Sequence, residues 1–300
     1  MKKIRIAISK DIDFKIKAYK KNVIISKISK KKNYNALIIT ANTDIDHKFI
    51  NSCKKIKILF IMSLHLLTKI KIEKIRDDIK ILYFDKKSKQ ILNSITPTPE
   101  FIFGLIILLT KNFLKSLEFS KKNLWKPKET AEYSFNKMLS QSTLGIIGYG
   151  RIGKKLNAIA KSFQMKTIIF TRRNNIKLTT VAKKSDIISI NLSLNKQTKN
   201  MINRKFFTKM KNKSYFINTS KGDIVNYNDL IKHLKKNINS AAIDVYKNEN
   251  ENDKEVVNLI KFSKKNNNII LTPHIAGSTL DSIITLQKHC LDRIVSDINI

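Results

Sequence analysis

Four of the seven glycines in this 300-residue chain fall between Gly145 and Gly153. Three of them, Gly148, Gly150 and Gly153, have the spacing G-x-G-x-x-G, directly after an apolar run and before a helical pattern. In such a strand–turn–helix unit the first glycine makes the tight turn, the second admits a pyrophosphate and the third allows close packing. The phosphates then lie at the helix N-terminus. The segment predicts a dinucleotide-binding turn, with a glycine-rich turn that binds nothing as the alternative.

The residues about 20 positions further on should distinguish between the two nicotinamide dinucleotides. Thr171, Arg172 and Arg173 follow the next predicted strand, where an acidic residue would bind the 2′-hydroxyl of NAD. A guanidinium group instead matches the geometry of a phosphate. This position favours NADP, unless the two arginines simply face solvent.

Short apolar runs alternate with helical patterns along the chain, which predicts parallel βαβ units. Proline fixes φ and disfavours helix in the residue before it. Pro97 and Pro99 therefore mark a domain crossing, followed by a long apolar helix from Glu100 to about Leu117. The predicted strands are residues 4–8, 23–25, 36–40, 56–62, 79–84, 143–147, 167–170, 186–191, 214–218, 241–245 and 268–271.

We therefore expect an α/β protein of two domains, a size that 300 residues allow. The first domain takes residues 1–98 and regains the terminal helix within residues 279–300. A Rossmann domain with a doubly wound parallel sheet takes residues 99–278 and binds NAD(P).

The net charge of +36 would suit a nucleic-acid partner, but the distribution of the basic residues argues against one. Only seven of the 59 basic residues are arginine, and the lysines are spread over every segment. Few aromatic residues lie among them to stack on bases. A solvated surface of biased composition explains the charge better, although its potential would attract anionic substrates and cofactors.

Composition also indicates the class of protein and its compartment. With 42% hydrophobic residues the chain can bury a core, and its longest apolar run, residues 101–109, is too short for a membrane span. No apolar segment follows the charged N-terminus, as it would in a signal peptide. Cys53 and Cys290 have neither a disulfide framework nor a metal-ligand spacing. We expect a reduced, cytoplasmic protein.

Six motifs in a fixed order carry a resemblance to a known family. The motifs are TPTPE at 96–100, Trp125, GYGRIG at 148–153, INTSKG at 217–222, AIDVY at 242–246 and TPHIAG at 272–277. In this order they resemble the D-isomer-specific 2-hydroxyacid dehydrogenases, over about residues 95–290 and only in outline before that. The resemblance implies an oxidoreductase that moves a hydride between NAD(P) and a small 2-hydroxy or 2-oxo acid. It also implies that the first domain is a flavodoxin-like substrate domain, and it implies a homodimer.

The same resemblance assigns roles to particular residues. His274 would be the acid–base group, since imidazole is the usual group for proton transfer near neutral pH. Glu249 would orient it and favour its charged form, unless Glu249 is an ordinary residue of a polar loop. Lys221 would bind the substrate anion, and Asp244 resembles the residue that holds the nicotinamide amide. The cofactor-binding residues would be Gly148, Gly150, Arg151, Ile152, Gly153, Thr171, Arg172, Arg173, Thr219 and Asp244.

Two departures from the family pattern bear on activity. Lys221 stands where the family has an arginine, and an ammonium group lacks the planar fork of a guanidinium. The loop that would bind the substrate carboxylate, at Ser63, Leu64 and His65, contains no glycine, and a Cβ restricts its backbone. The alternative is a family member that binds the dinucleotide but has lost or altered catalysis, with a regulatory or sensor role.

Overall fold

The computed structural model describes residues 3–10, 12–16, 19–29, 32–40, 43–62, 70–121, 137–236, 240–247 and 252–298. The chain divides into two compact units, one of Met1–Ile95 with Thr279–Ile300 and the other of Thr96–Ser278. The strands are β1 (Ile4–Ile8), β2 (Val23–Lys27), β3 (Ala36–Ile39), β4 (Ile58–Ile61), β5 (Lys80–Tyr83), β6 (Thr143–Ile147), β7 (Lys166–Phe170), β8 (Ile187–Ile190), β9 (Tyr215–Asn218), β10 (Ser240–Ile243) and β11 (Ile269–Leu271). The α-helices are α1 (His47–Ser52), α2 (Lys89–Ser94), α3 (Pro97–Thr110), α4 (Phe113–Lys121), α5 (Arg151–Ser162), α6 (Leu178–Lys184), α7 (Arg204–Phe207), α8 (Tyr227–Lys236), α9 (Lys254–Ser263) and α10 (Leu280–Ile298).

The first unit is built on five parallel strands in the order β2-β1-β3-β4-β5. This is the strand order of flavodoxin-like sheets. Every residue of β3 and β4 is buried, as expected for parallel strands covered on both faces. Helix α10 packs on this sheet, since its residues Cys290, Leu291 and Ile294 share one core cluster with Ile6 and Ile8 of β1. The predicted flavodoxin-like sheet is confirmed.

The second unit is built on six parallel strands in the order β11-β10-β9-β8-β6-β7. The chain leaves β6 for β7 on one side and then returns to β8 on the other side. In open α/β sheets, ligands bind outside the carboxyl ends of the strands at such a reversal. The predicted doubly wound sheet is confirmed, and its topology directs a ligand to the ends of β6 and β8.

The long helix predicted from Glu100 to about Leu117 is wrong at both ends. Helix α3 begins at Pro97, where a missing N–H removes no helical hydrogen bond. It ends at Thr110, and Asn112 then takes a left-handed φ of +49°, a conformation that asparagine tolerates, before α4 begins. The predicted strands differ from the observed ones by at most two residues at each end.

One stretch among the described residues, Lys86–Thr110, is long and apolar enough to cross a membrane. The structure breaks it between α2 and α3. Eight of the fourteen residues of α3 are buried, and Ile102, Leu105 and Ile106 belong to a core cluster of the second unit. Core helices pass the same test of length and composition, and α3 packs as a core helix does.

Candidate active site

The glycine turn between β6 and α5 leaves no room for other residues at two of its positions. Gly148 has φ +101°, and a Cβ there would lie 2.3 Å from the carbonyl oxygen of Asn191, just after β8. A Cβ on Gly153 would lie 2.2 Å from the carbonyl oxygen of Gly148. The first glycine therefore allows the turn against the end of β8, and the third lets α5 pack closely against the turn.

Gly150, in contrast to Gly148 and Gly153, has open space where a side chain would be. No atom of the described residues lies within 4 Å of the place its Cβ would occupy. It is the N-cap residue of α5, where a glycine has no side chain to cap the first turn. The first N–H groups of a helix lack intrahelical partners and attract anions. The open space at Gly150 and the first-turn N–H groups at Arg151 and Ile152 fit the pyrophosphate of a dinucleotide.

Thr171, Arg172 and Arg173 follow β7 in a turn that Asn174 holds. The Thr171 N–H donates to Oδ1 of Asn174 over 3.1 Å, and the Asn174 amide donates to a backbone carbonyl of β7 over 2.7 Å. The Arg172 guanidinium donates to Oδ1 of Asn195, beyond β8, over 3.2 Å. Both arginines are exposed. Strands β6 and β7 are parallel neighbours, so the segments that follow them lie at the same, carboxyl edge of the sheet. Arg172 and the glycine turn are both at this edge.

His274 lies in the loop that follows β11, at the carboxyl edge of the sheet. Its ring is exposed, and its backbone has a left-handed φ of +56°. Its N–H donates to the carbonyl of Thr272 over 3.0 Å, which makes the turn tight. A non-glycine residue in this conformation is uncommon, and the surroundings must hold it there.

Asp244 holds that loop. It follows β10, is 0% exposed, and directs both carboxylate oxygens at the loop of His274. Its Oδ1 accepts from the Thr272 hydroxyl over 2.5 Å and from the Ile275 N–H over 3.0 Å. Its Oδ2 accepts from the Ala276 N–H over 2.9 Å. Hydrogen bonds to an ionised carboxylate are about twice as strong as neutral ones, so Asp244 fixes the backbone on both sides of His274.

Lys221 lies in the turn that follows β9, with its side chain half-buried. Asn218 shapes this turn, because its amide nitrogen donates to the Lys221 carbonyl over 3.1 Å and its oxygen accepts from Ser220 N–H over 3.1 Å. Thr219, one of the predicted cofactor-binding residues, is 8% exposed. A Cβ on Gly222 would lie 2.2 Å from the carbonyl carbon of Tyr246, so the chain after β9 lies directly against the chain after β10.

Tyr246 is a site residue that sequence reasoning missed. Its hydroxyl donates to the carbonyl of Thr272 over 3.1 Å and so gives the His274 loop another attachment. Burial, and then the charge of Asp244, raise the pKa of Tyr246, which keeps the hydroxyl protonated as a donor. The sequence signal was the position of Tyr246 at the end of the motif AIDVY, two residues after Asp244.

Several predicted residues lie outside the described part of the chain, and the structure does not place them. Among the described residues, no group of three or more His, Cys, Asp or Glu could hold a metal ion. The predicted residues outside the description are Glu249, Trp125, Ser63, Leu64 and His65.

Comparison with known sequences finds one matching family. The family described as "D-isomer specific 2-hydroxyacid dehydrogenase, NAD binding domain" matches residues 103–276. A glyoxylate reductase of Thermococcus litoralis is 28% identical over 284 residues, which are 88% of this chain and 79% of that protein.

Solved structures share the fold over nearly the whole chain. The D-lactate dehydrogenase of Aquifex aeolicus, complexed with NAD and lactic acid, has a TM-score of 0.75 at 19% identity and covers 98% of this chain and 95% of its own. The NAD complex of a D-isomer-specific 2-hydroxyacid dehydrogenase from Lactobacillus delbrueckii ssp. bulgaricus has a TM-score of 0.77 at 20% identity, covering 98% and 97%.

Proposed function

Because the chain belongs to the D-isomer-specific 2-hydroxyacid dehydrogenase family, we propose that it interconverts a small 2-hydroxy acid and its 2-oxo acid with NAD(P). The loop of His274 is the observation that carries the proposal. Asp244 holds this loop at the edge of the sheet where the glycine turn lies. The nucleotide-binding turn and an exposed imidazole are thereby on one ligand-binding edge.

His274 moves the proton in this proposal. The bound cofactor supplies or accepts the hydride at its nicotinamide ring, and the substrate gains or loses it at C2. In reduction, His274 donates its proton to the C2 oxygen, and in oxidation it removes that proton. Its exposed ring then exchanges the proton with solvent. Glu249, two residues beyond Lys247, is proposed to orient the imidazole and favour its charged form.

Lys221 is proposed to bind the substrate carboxylate. Its ammonium group provides attraction to an anion but no bidentate geometry, so other groups must set the orientation of the acid. We propose that Ser63, Leu64 and His65 contribute to binding the acid, and that Thr219 and the glycine turn hold the cofactor. The first unit would then be the substrate domain and the second the nucleotide domain. A cytoplasmic homodimer completes the proposal.

The direct test is a panel of 2-oxo acids offered to the purified protein with NADH and with NADPH, followed by cofactor absorbance. We expect turnover of at least one small 2-oxo acid, with product of the D configuration. A protein that binds the cofactor tightly but turns over none of the acids would instead support the regulatory or sensor alternative.

We further propose that the protein prefers NADP to NAD, because Arg172 and Arg173 occupy positions where an acidic residue would select NAD. A charge-assisted hydrogen bond from one guanidinium contributes about 1.5–3 kcal/mol, or about tenfold to a hundredfold in affinity. We therefore expect NADPH to bind more tightly than NADH. The preference should fall with rising salt, since both arginines are exposed and their charges are screened.

Arg172→Ala is expected to weaken NADPH by about tenfold or more and to leave NADH nearly unchanged. Equilibrium titration of both cofactors measures this, with Arg204→Ala, on α7 and away from the glycine turn, as the matched control. Equal affinities in the wild type, or tighter NADH, would return the assignment to NAD and leave the dehydrogenase proposal intact.

A further inference from the structure

We propose that Lys247 and Glu255 are positioning residues for this reaction, acting together with Tyr227. Their ion pair holds the turn that carries Lys221 against the segment that leads from β10 to Glu249. The inference rests on the proposed function, because it assigns the pair a task in placing that site's residues.

The ion pair joins a buried lysine to a half-buried glutamate and connects three parts of the chain. Lys247 is 8% exposed, and its Nζ donates to Oε1 of Glu255 in the first turn of α9. The other carboxylate oxygen, Oε2, accepts the N–H of Tyr227 over 2.9 Å at the start of α8. Buried lysines are rare unless paired. One carboxylate therefore links the segment after β10, the start of α8 and the start of α9.

Tyr227 adds a second link between the same segments. Its side chain is fully buried, and its hydroxyl donates to the carbonyl of Val245 over 2.5 Å. At Gly222 the two backbones are in contact, since a Cβ there would lie 2.5 Å from the Lys247 nitrogen. The turn after β9 and the segment after β10 therefore cannot shift independently of each other.

We call Lys247, Glu255 and Tyr227 the clamp. The clamp lies beside residues that the proposed function places at the substrate. Lys221 directly precedes Gly222, at the contact between the two backbones. Glu249 lies in the chain between Lys247 and Glu255, so the ion pair joins the described residues on either side of it.

A buried ion pair adds little to stability compared with apolar side chains of the same size, whereas a lone buried charge destabilises strongly. Removing both charges should therefore separate positioning from folding. The variants are Lys247→Met, Glu255→Gln and the double variant. The glutamine side chain that Glu255→Gln introduces keeps an acceptor for the Tyr227 N–H. Lys211→Met is the control, since Lys211 pairs over 3.1 Å with Asp186, which precedes β8 at the opposite edge of the sheet.

We expect the double variant to melt cooperatively near the wild-type temperature. Its kcat/KM for the 2-oxo acid should fall at least about tenfold, the scale of a small misplacement of reacting groups. The fall should come mainly from a higher KM for the acid, because Lys221 is displaced. The Kd of the reduced cofactor should rise less than this KM, because the glycine turn, which is proposed to hold the pyrophosphate, lies elsewhere in the unit, although Thr219 belongs to the displaced turn. Lys211→Met should keep the wild-type kcat/KM.

A double variant with wild-type KM and kcat would overturn the inference and leave the clamp a purely structural feature. If the double variant does not fold, Glu255→Gln alone decides the question by the same measurement. If the wild type reduces none of the acids, the proposed function fails by itself. Amide hydrogen exchange then tests the clamp separately. Faster exchange at residues 219–227 and 244–247 in the double variant than in the wild type supports the clamp, and unchanged exchange overturns it.

Discussion

Replacing His274 by asparagine is expected to lower kcat by at least about a hundredfold, the usual contribution of general acid–base catalysis. Asparagine is the informative substitution because His274 has φ +56°, and asparagine tolerates the left-handed conformation that alanine resists. The variant therefore loses the imidazole and keeps the loop. His274→Ala should lose at least as much kcat and should also melt at a lower temperature.

The control for this experiment is His47→Ala, at the start of α1 in the first unit. We expect its kcat to match the wild type. Cofactor affinity should change little in His274→Asn, since the proposed role of His274 concerns the substrate oxygen. Turnover at the wild-type rate in the asparagine variant would remove His274 from the mechanism.

Replacing Asp244 by alanine is expected to impair both folding and catalysis. Three donors, the Thr272 hydroxyl and the N–H groups of Ile275 and Ala276, would lose their acceptor. A buried polar group left unsatisfied costs about 1–3 kcal/mol. The Ala276 bond is buried and the other two are part-buried, so the free energy of unfolding should fall by at least about 1–3 kcal/mol. The loop would also release His274, and a displacement of about 1 Å can reduce the rate a hundredfold.

Denaturant unfolding and steady-state kinetics measure the two effects separately. Asp244→Asn should lie between the wild type and Asp244→Ala, because one oxygen remains as an acceptor while the new amide nitrogen cannot accept an N–H. Asp281→Asn, exposed in the first turn of α10, is the matched control and should change neither quantity. An alanine variant as stable as the wild type would show that the loop does not depend on this carboxylate.

Much of the fold could be predicted from local patterns. The alternation of apolar runs and helical patterns predicted every strand to within two residues at each end. The glycine spacing predicted a strand–turn–helix at Gly148–Gly153, and the structure has β6, the turn and α5 there. The end of helix α3 was misplaced because it depends on the backbone conformation of Asn112, and the apolar residues Phe113, Leu114 and Leu117 follow that point.

The proposed site residues could be identified from motifs, but the hydrogen bonds and the ion pair that hold them in place could not. Asp244 was predicted to touch the cofactor, and the structure gives its carboxylate three hydrogen bonds to the His274 loop. In the sequence, Lys247 belongs to a loop rich in Asn, Glu and Lys, residues 247–254, and Glu255 follows it. Their pairing beside Tyr227 could not be inferred from a chain in which lysines occur in every segment.

By itself, the sequence determined the strands and the glycine turn, because these depend on spacing and residue type over a few neighbouring positions. The attachment of the His274 loop to Asp244 was decided only by the tertiary structure. Asp244 and Ala276 are 32 residues apart in the chain, and they meet because β10 and β11 pair side by side in the sheet. Contacts of that kind arise from strand pairing, which no local pattern encodes.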